Sequence, residues 1–145
     1  MVKILVKKLN KNTKLPTYET AGSSGMDLMA NNKKKIIIYP GKTSLIPTGI
    51  LVAIPSNYEI QIRPRSGLAI KKSISVLNTP GTVDSDYRGE IKIILINLSK
   101  KPFVVKLGDR VAQMVVCPIV KVKLKEVKKL PKSTRGKGGF GSTGK

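Results

Sequence analysis

Apolar residues along the chain fall in short runs that proline and glycine interrupt. Lys35 to Tyr39 is predicted as a strand that ends at Pro40-Gly41. The turn residues Pro55-Ser56-Asn57 separate two further predicted strands, over Ile50 to Ile54 and Tyr58 to Arg63. Turn residues between short apolar runs are typical of antiparallel sheets, so the pattern favours an all-β fold.

Three later runs extend this pattern. Ile91 to Leu98 is strongly apolar and is predicted as a central strand, and Val111 to Pro118 as another buried strand. Val120 to Val127 alternates apolar and charged residues, which predicts a strand with one face of each kind. The best helix candidate is the short stretch Ser66 to Lys72. Together these elements predict an all-β barrel or sandwich with one short helix.

The C-terminal segment has a different composition. After Pro131 the chain is rich in Gly, Lys, Ser and Thr, and Phe140 is its one large apolar side chain. We therefore predict a domain over residues 1–131 and a flexible arm over residues 132–145. The arm is either a free basic tail or a segment that becomes ordered on a ligand or a neighbouring subunit.

Composition excludes several kinds of chemistry. The chain has 145 residues, no histidine and one cysteine. Nucleophile systems that need histidine, histidine-containing zinc sites and intrachain disulfides are therefore excluded. Cys117 lies in an apolar run and is predicted to be a small buried side chain. No apolar run is long enough for a membrane span, and the N-terminus alternates rather than resembling a signal peptide, so we expect a cytoplasmic protein without a membrane partner.

The net charge of +20 raises the alternative of a basic protein that binds nucleic acid. Its lysines are scattered along the chain, however, and aromatic residues make up only 4% of it. This content is low for stacking on single strands. A small polyanionic substrate needs only a few of the cations, so nucleic-acid binding is kept as the second class of function.

Two segments and the arm carry candidate chemistry. Pro64 to Gly67 offers a guanidinium, a hydroxyl and backbone amides for an anion, although Ser66 could equally be a helix cap. The loop from Asn78 to Glu90 places Asp84 and Asp86 close together, an arrangement that suits acid–base chemistry if the chain is extended there. The same loop could be a solvated turn. The glycine-rich arm has the hydroxyls of a phosphate cradle, but it lacks the strand and helix of a nucleotide P-loop.

In order along the chain, five segments resemble the motifs of the trimeric dUTPase family: 21–30, 64–69, 78–90, 108–114 and 135–144. The resemblance implies a jelly-roll-like β-barrel assembled as a homotrimer. It also implies the hydrolysis of dUTP to dUMP and pyrophosphate with Mg²⁺, which keeps uracil out of DNA and supplies dUMP for dTMP synthesis. The C-terminal arm would complete an active site of a neighbouring subunit.

The resemblance also implies roles at the nucleoside. Asp84 would be the general base that activates a water for attack on the α-phosphorus. Asn78 would read the uracil edge, and Tyr87 would pack under the deoxyribose. The backbone of the same loop would assist through Gly81, Thr82 and Val83.

The remaining implied roles concern the phosphates, the metal and the arm. Ser66 would hold the α- and β-phosphates, with Arg65 and Gln113 as further phosphate contacts. Asp27 would orient waters around a Mg²⁺ ion that the triphosphate itself holds. In the arm, Arg135 and the Ser142-Thr143 pair would clamp the γ-phosphate while Phe140 covers the uracil. The resemblance further implies substrate contacts for Gly67, Lys92 and Gly141.

Departures from the family pattern are small, and one related class is disfavoured. Ser73 stands where the family often has glycine, and Met26 where an aromatic residue is frequent. The dCTP deaminase class would need a glutamate after the Pro-Arg-Ser motif, but no acidic residue lies between Ile60 and Val83. A nucleic-acid binder with idle dUTPase motifs is disfavoured because the residues that carry the implied roles are intact.

Overall fold

The computed structural model describes residues 2–139. Within this range the chain forms short strands and one helix, in the following order: β1 Leu5–Lys8, β2 Met26–Met29, β3 Ile36–Ile38, β4 Thr43–Ala53, β5 Tyr58–Arg63, α1 Ser66–Lys72, β6 Ile74–Val76, β7 Gly81–Val83, β8 Glu90–Asn97, β9 Phe103–Val105 and β10 Arg110–Pro118.

The strands form three antiparallel sheets. The first sheet has the order β1-β4-β8-β6, the second sheet β2-β10-β5-β7, and β3 pairs with β9 in a two-stranded sheet. Buried and more exposed side chains alternate along the strands, so that one side of each strand faces a shared core. On β8, for example, Ile91, Ile93 and Leu95 are buried, and on β5 so are Ile60 and Ile62. The predicted all-β fold class is confirmed.

Several predicted elements are confirmed in detail. The helix runs from Ser66 to Lys72 as predicted. Strand β8 lies between β4 and β6, and β10 lies between β2 and β5, so both apolar runs are interior strands. At the end of β10, Cys117 is half-buried rather than fully buried.

The predicted strand over Val120 to Val127 is wrong for the single chain. This segment has no strand assignment, and Val120, Val122 and Leu124 are 88%, 75% and 90% exposed. A strand requires a hydrogen-bonding neighbour and a surface for its apolar face. The alternating pattern remains, but the described part of this chain offers it no partner.

The ends of helix α1 explain two details of the sequence. Arg65, not Ser66, is the N-cap residue, and it makes no side-chain capping bond, so the interpretation of Ser66 as a cap is wrong. Ser73 follows the helix in the left-handed conformation with φ 53°. Glycine adopts this conformation most easily, which accounts for the glycine frequent at that position in the resembled family.

Among residues 2–139, no helix is long and apolar enough to cross a membrane.

Candidate active site

One end of the second sheet carries a network of ion pairs among Asp27, Arg65 and Arg110. We call these three residues, together with the adjoining Gln113, the ionic end. The Arg65 guanidinium binds both Asp27 oxygens, at 2.8 and 3.3 Å. Arg110 contacts the same carboxylate at 3.2 Å and Glu19 at 3.6 Å. Only 12% of the Asp27 side chain is exposed, so charge-assisted bonds neutralise a carboxylate that is largely out of water.

Gln113 and the start of α1 adjoin this network. Gln113 pairs in register with Asp27 on one side and with Arg63 on the other. Its amide donates to the Pro64 carbonyl at 3.0 Å, which fixes its side chain beside the Pro-Arg-Ser segment. Ser66 is exposed in the first turn of the helix. Four of the predicted substrate contacts therefore lie together: Arg65, Ser66, Gly67 and Gln113.

The predicted nucleoside contacts lie along β7, an edge strand of the second sheet. Asn78 precedes the strand and Asp84 follows it, and both are exposed. Gly81 and Val83 are buried, whereas Thr82 is exposed. Substrate contacts of Gly81 and Val83 are therefore restricted to backbone groups, which an edge strand leaves free along one side.

The chain turns immediately after Asp84, in a segment that we call the loop end: Asp84 to Glu90. The Tyr87 amide donates to the Asp84 carbonyl at 3.1 Å, which closes the turn. Asp84 and Asp86 are therefore not on one face of an extended chain, and the condition for a carboxylate pair is not met. The Tyr87 hydroxyl donates to the Glu90 carbonyl at 3.0 Å. The Tyr87 ring packs against Gly89, and a Cβ atom at position 89 would collide with it.

A single chain does not bring the ionic end and Asp84 together. Along β5, Gln113 pairs with Arg63, whereas Val83 pairs with Ile60. Asp84 follows Val83, so it lies about 13 Å farther along the sheet than Gln113 and about 10 Å across it. Side chains cannot close this gap around one α-phosphate, so the predicted phosphate contacts and Asp84 form two separate groups in one chain, which we call the half-sites.

The other predicted contacts lie apart from both half-sites or outside the described residues. Lys92 on β8 is exposed, and its ammonium lies 3.7 Å from the Glu90 carboxylate. Arg135 is exposed and donates to the Gly138 carbonyl at 2.8 Å. The predicted contacts of Phe140, Gly141, Ser142 and Thr143 lie outside the described residues.

Residues 2–139 contain no cluster of three or more acidic, histidine or cysteine side chains that could hold a metal ion. Both Asp27 oxygens already accept hydrogen bonds from guanidinium groups. Mg²⁺ prefers near-octahedral oxygen coordination and often keeps several waters. The residues present therefore fit a metal that arrives with a phosphate ligand and meets Asp27 through water, rather than an ion held by protein ligands alone.

Sequence reasoning missed two participants. Arg110 belongs to the ionic end, although Gln113 was the only residue of segment 108–114 predicted as a contact. Glu90 anchors the loop end: its carboxylate accepts the Gly49 amide at 2.8 Å. Neither role has a local sequence signature, because each contact joins distant residues. Glu90 and Gly49 are 41 residues apart, and Arg110 and Asp27 are 83 residues apart.

A cavity of about 910 Å³ lies elsewhere on the chain, between the N-terminal segment and the start of β8. Amide and hydroxyl side chains such as Asn10, Thr13 and Asn31 line it, and Glu90 reaches it from the loop end. None of the predicted site residues lines this cavity.

Comparison with known proteins identifies the fold and the family. The dUTPase of Staphylococcus bacteriophage 80alpha, solved with dUPNHPP, superposes with a TM-score of 0.84 at 26% identity over 98% of both chains. The dUTPase of phage phi11 of S. aureus, described with a structural Mg(II) ion, gives 0.80 at 22% identity over 90% of this chain and 99% of that one. The fold is thus of the dUTPase type, an all-β, jelly-roll-like class.

The sequence comparisons are more specific. The family model for dUTPase matches residues 11–144. Deoxyuridine 5'-triphosphate nucleotidohydrolases are similar over nearly their whole length. The one from Clostridium tetani is 58% identical, covering 97% of this chain and 95% of the relative. The one from Hydrogenobaculum sp. is 53% identical, covering 99% of each. The chain belongs to the dUTPase family, and the prediction of a dUTP diphosphatase is confirmed.

Proposed function

We propose that the protein hydrolyses dUTP to dUMP and pyrophosphate, with Asp84 as the general base for a water that attacks the α-phosphorus. The observation that carries this proposal is the placement of Asp84 at the end of an edge strand that begins beside Asn78. Asp84 is exposed, so it can reach a water and a ligand. A carboxylate suits the task because it can orient the water and accept its proton.

The length of strand β7 supports a role in binding the nucleoside. Its residues Gly81–Val83 span about 10 Å, comparable with the distance from a pyrimidine base to its α-phosphate. With Asn78 at one end and Asp84 at the other, the base would lie along the free edge of the strand. Backbone donors and acceptors there would pair with the uracil edge and leave no room for a thymine methyl group. Tyr87, in the turn after Asp84, would pack under the deoxyribose and reject a 2′-hydroxyl.

The separation of the half-sites supports a site shared between chains. Arg65, Ser66, Gly67 and Gln113 of one subunit would bind the phosphates of a nucleotide whose base and sugar lie on β7 of another. Lys92 would add a cation near the loop end. The family resemblance supports a homotrimer with three such sites, in which one heterologous contact would repeat until the ring closes.

The C-terminal segment supports the same assembly. Its exposed alternating residues, Val120 to Val127, lack a partner within the described chain. In the trimer they would lie against a neighbouring subunit and direct residues 132–145 to a third. There Arg135, Ser142 and Thr143 would bind the γ-phosphate, and Phe140 would cover the uracil. Closure of the arm would exclude water other than the attacking one.

The proposed cofactor is Mg²⁺ bound to the triphosphate, where it supplies neutralisation of negative charge. Asp27 would hold waters of this ion while Arg65 keeps the carboxylate oriented. In the cell the reaction would keep uracil out of DNA and supply dUMP for dTMP synthesis.

Pyrophosphate release from dUTP, dTTP, dCTP and UTP in the presence of Mg²⁺ tests the proposal. We expect rapid turnover of dUTP, far slower turnover of the other three nucleotides, and loss of dUTP turnover in Asp84→Asn. A folded wild-type protein that turns over none of the four nucleotides would contradict the proposed reaction. It would then favour the second class, a basic binder of nucleic acid, which a salt-sensitive mobility shift with long DNA would detect.

A further inference from the structure

Strand β4 carries a bulge opposite the first residues of β8. Pro47 pairs with Lys92 and Leu51 pairs with Glu90, so three residues of β4 face Ile91 alone. Bulged residues lose ladder partners, and buried backbone groups without a partner cost free energy. Side chains at the bulge supply the missing partners.

Two side-chain hydrogen bonds close the bulge. The Thr48 hydroxyl donates to the Ile91 carbonyl at 2.6 Å, and the Gly49 amide donates to the Glu90 carboxylate at 2.8 Å. Gly49 has φ 73° and is buried, and a Cβ atom there would collide with Asn31. Its amide therefore has a fixed direction. The Glu90 side chain is only 17% exposed, which strengthens its charge-assisted bond.

The same glutamate also holds the loop end through its backbone. Its carbonyl accepts the Tyr87 hydroxyl at 3.0 Å, and the Tyr87 amide donates to the Asp84 carbonyl at 3.1 Å. Three hydrogen bonds thus lead from the buried Gly49 to Asp84. Within the loop, these bonds fix both the ring of Tyr87 and the backbone of Asp84.

We infer that Glu90 is a positioning residue: anchored by the β4 bulge, it sets the place of the Tyr87 ring and, through it, of Asp84. The inference rests on the proposed function, in which Tyr87 meets the deoxyribose and Asp84 the attacking water. Glu90 itself contacts neither. Lys92 lies 3.7 Å from the other carboxylate oxygen and is about half exposed, so it cannot replace the Gly49 anchor.

Steady-state kinetics of Glu90→Ala and Glu90→Gln, with dUTP and UTP as substrates, test the inference. Glu90→Ala leaves the Gly49 amide without an acceptor, and we expect kcat to fall about 10- to 100-fold, because small misplacements of reacting groups cost that much. The preference for dUTP over UTP should fall about tenfold as the Tyr87 ring moves. Glu90→Gln keeps an acceptor oxygen of the same reach and should stay within about threefold of wild type.

Asp109→Ala is the matched control. Its carboxylate also accepts a backbone amide, that of Lys106 at 2.7 Å, but in the turn between β9 and β10. This variant should keep the wild-type preference for dUTP over UTP. An equal loss of preference in Asp109→Ala, an equal loss in Glu90→Gln, or wild-type kinetics of Glu90→Ala would each overturn the inference.

Two further measurements keep the inference testable if Glu90→Ala does not assemble. Tyr87→Phe removes only the hydroxyl bond to Glu90, and we expect the dUTP preference to fall about three- to tenfold with an unchanged unfolding midpoint. A wild-type preference for dUTP in this variant would contradict the proposed role of the hydrogen bond between Tyr87 and Glu90. Hydrogen–deuterium exchange of residues 84–90 needs no turnover: uptake should rise in Tyr87→Phe and stay at the wild-type level in Glu90→Gln. The exchange result tests the anchor even if dUTP is not the substrate.

Discussion

The two ends of the second sheet hold their charged side chains in opposite ways. At the ionic end, Asp27 is largely buried and lies between Arg65 and Arg110, so its charge is neutralised within the chain. At the loop end, Asp84 is exposed and is held through its backbone by Tyr87. The ionic end is therefore a preorganised part of the fold, whereas the loop end keeps a carboxylate available for a ligand.

The largest expected effect is a loss of turnover without a loss of stability when the loop end is changed at Asp84. Asp84→Asn should lower kcat for dUTP by about 10²- to 10⁴-fold, the usual contribution of a general base. Because the side chain is exposed, the free energy of unfolding should change by less than about 0.5 kcal/mol. Pyrophosphate release and thermal unfolding of the same sample check both numbers. Near wild-type turnover would show that the base lies elsewhere.

A mixing experiment tests whether the ends of different chains meet. Ser66→Ala should lower kcat about 10²-fold, since it removes a donor at the phosphates. Trimers refolded from equal amounts of Ser66→Ala and Asp84→Asn chains should regain activity at about one quarter of the sites, where each chain supplies its intact half-site. Refolded homotrimers of each variant are the controls. No recovery in mixed trimers would indicate that one chain supplies both halves.

Substitution at the ionic end should affect stability first. Asp27→Asn leaves two guanidinium groups without their carboxylate in a partly buried site. We expect a loss of about 1–3 kcal/mol in the free energy of unfolding, below the cost of breaking a fully buried pair because Arg110 is about half exposed. Thermal unfolding measures this loss, and Asp86→Asn, an exposed carboxylate in the turn, is the control. An unchanged midpoint would mean that the pairs contribute no net stability.

The smallest expected effect comes from the lysines that lie outside the ionic end and the loop end. Residues 31–58 and 91–108 carry lysines and no carboxylate, and the chain has a net charge of +20. This field should attract a triphosphate, so kcat/KM for dUTP should fall about three- to tenfold between about 50 and 500 mM salt. The kcat at saturating dUTP should change little. A flat salt profile would mean that the lysines do not steer the substrate.

Sequence patterns predicted the elements that a continuous apolar run or clear flanking turn residues mark, and whose partners lie in the same chain. Strands β8 and β10 and the helix from Ser66 to Lys72 belong to this group. Strands β2, β6, β7 and β9 were not predicted, because segments of three or four residues rarely show a usable period. Strand β3 is the exception among the short strands, since its three isoleucines stand just before the turn residues Pro40-Gly41. The alternation over Val120 to Val127 was recognised, but a period does not say which chain supplies the partner.

The candidate site divides in the same way. Motif resemblance predicted roles for Asp84, Asn78 and Ser66, because the motifs depend on local spacing. It did not predict that Asp27 would lie between two arginines, or that Glu90 would reach Gly49. These contacts join residues 38 to 83 positions apart, and only the pairing of distant strands brings them together. The distance between the two half-sites likewise follows from the register of β5, β7 and β10.

The exposed apolar side chains between Val120 and Val127 affect the stability of a subunit that has not yet assembled. Val120, Val122 and Leu124 would lie in water on a lone subunit, and β1 is an edge strand with all four residues exposed. If a neighbour covers these surfaces, folding and association form one equilibrium governed by mass action. The folded fraction then depends on how much protein is present, and the unfolding midpoint should rise with concentration. A newly made chain at low copy number would be the form most exposed to proteases and to mispairing.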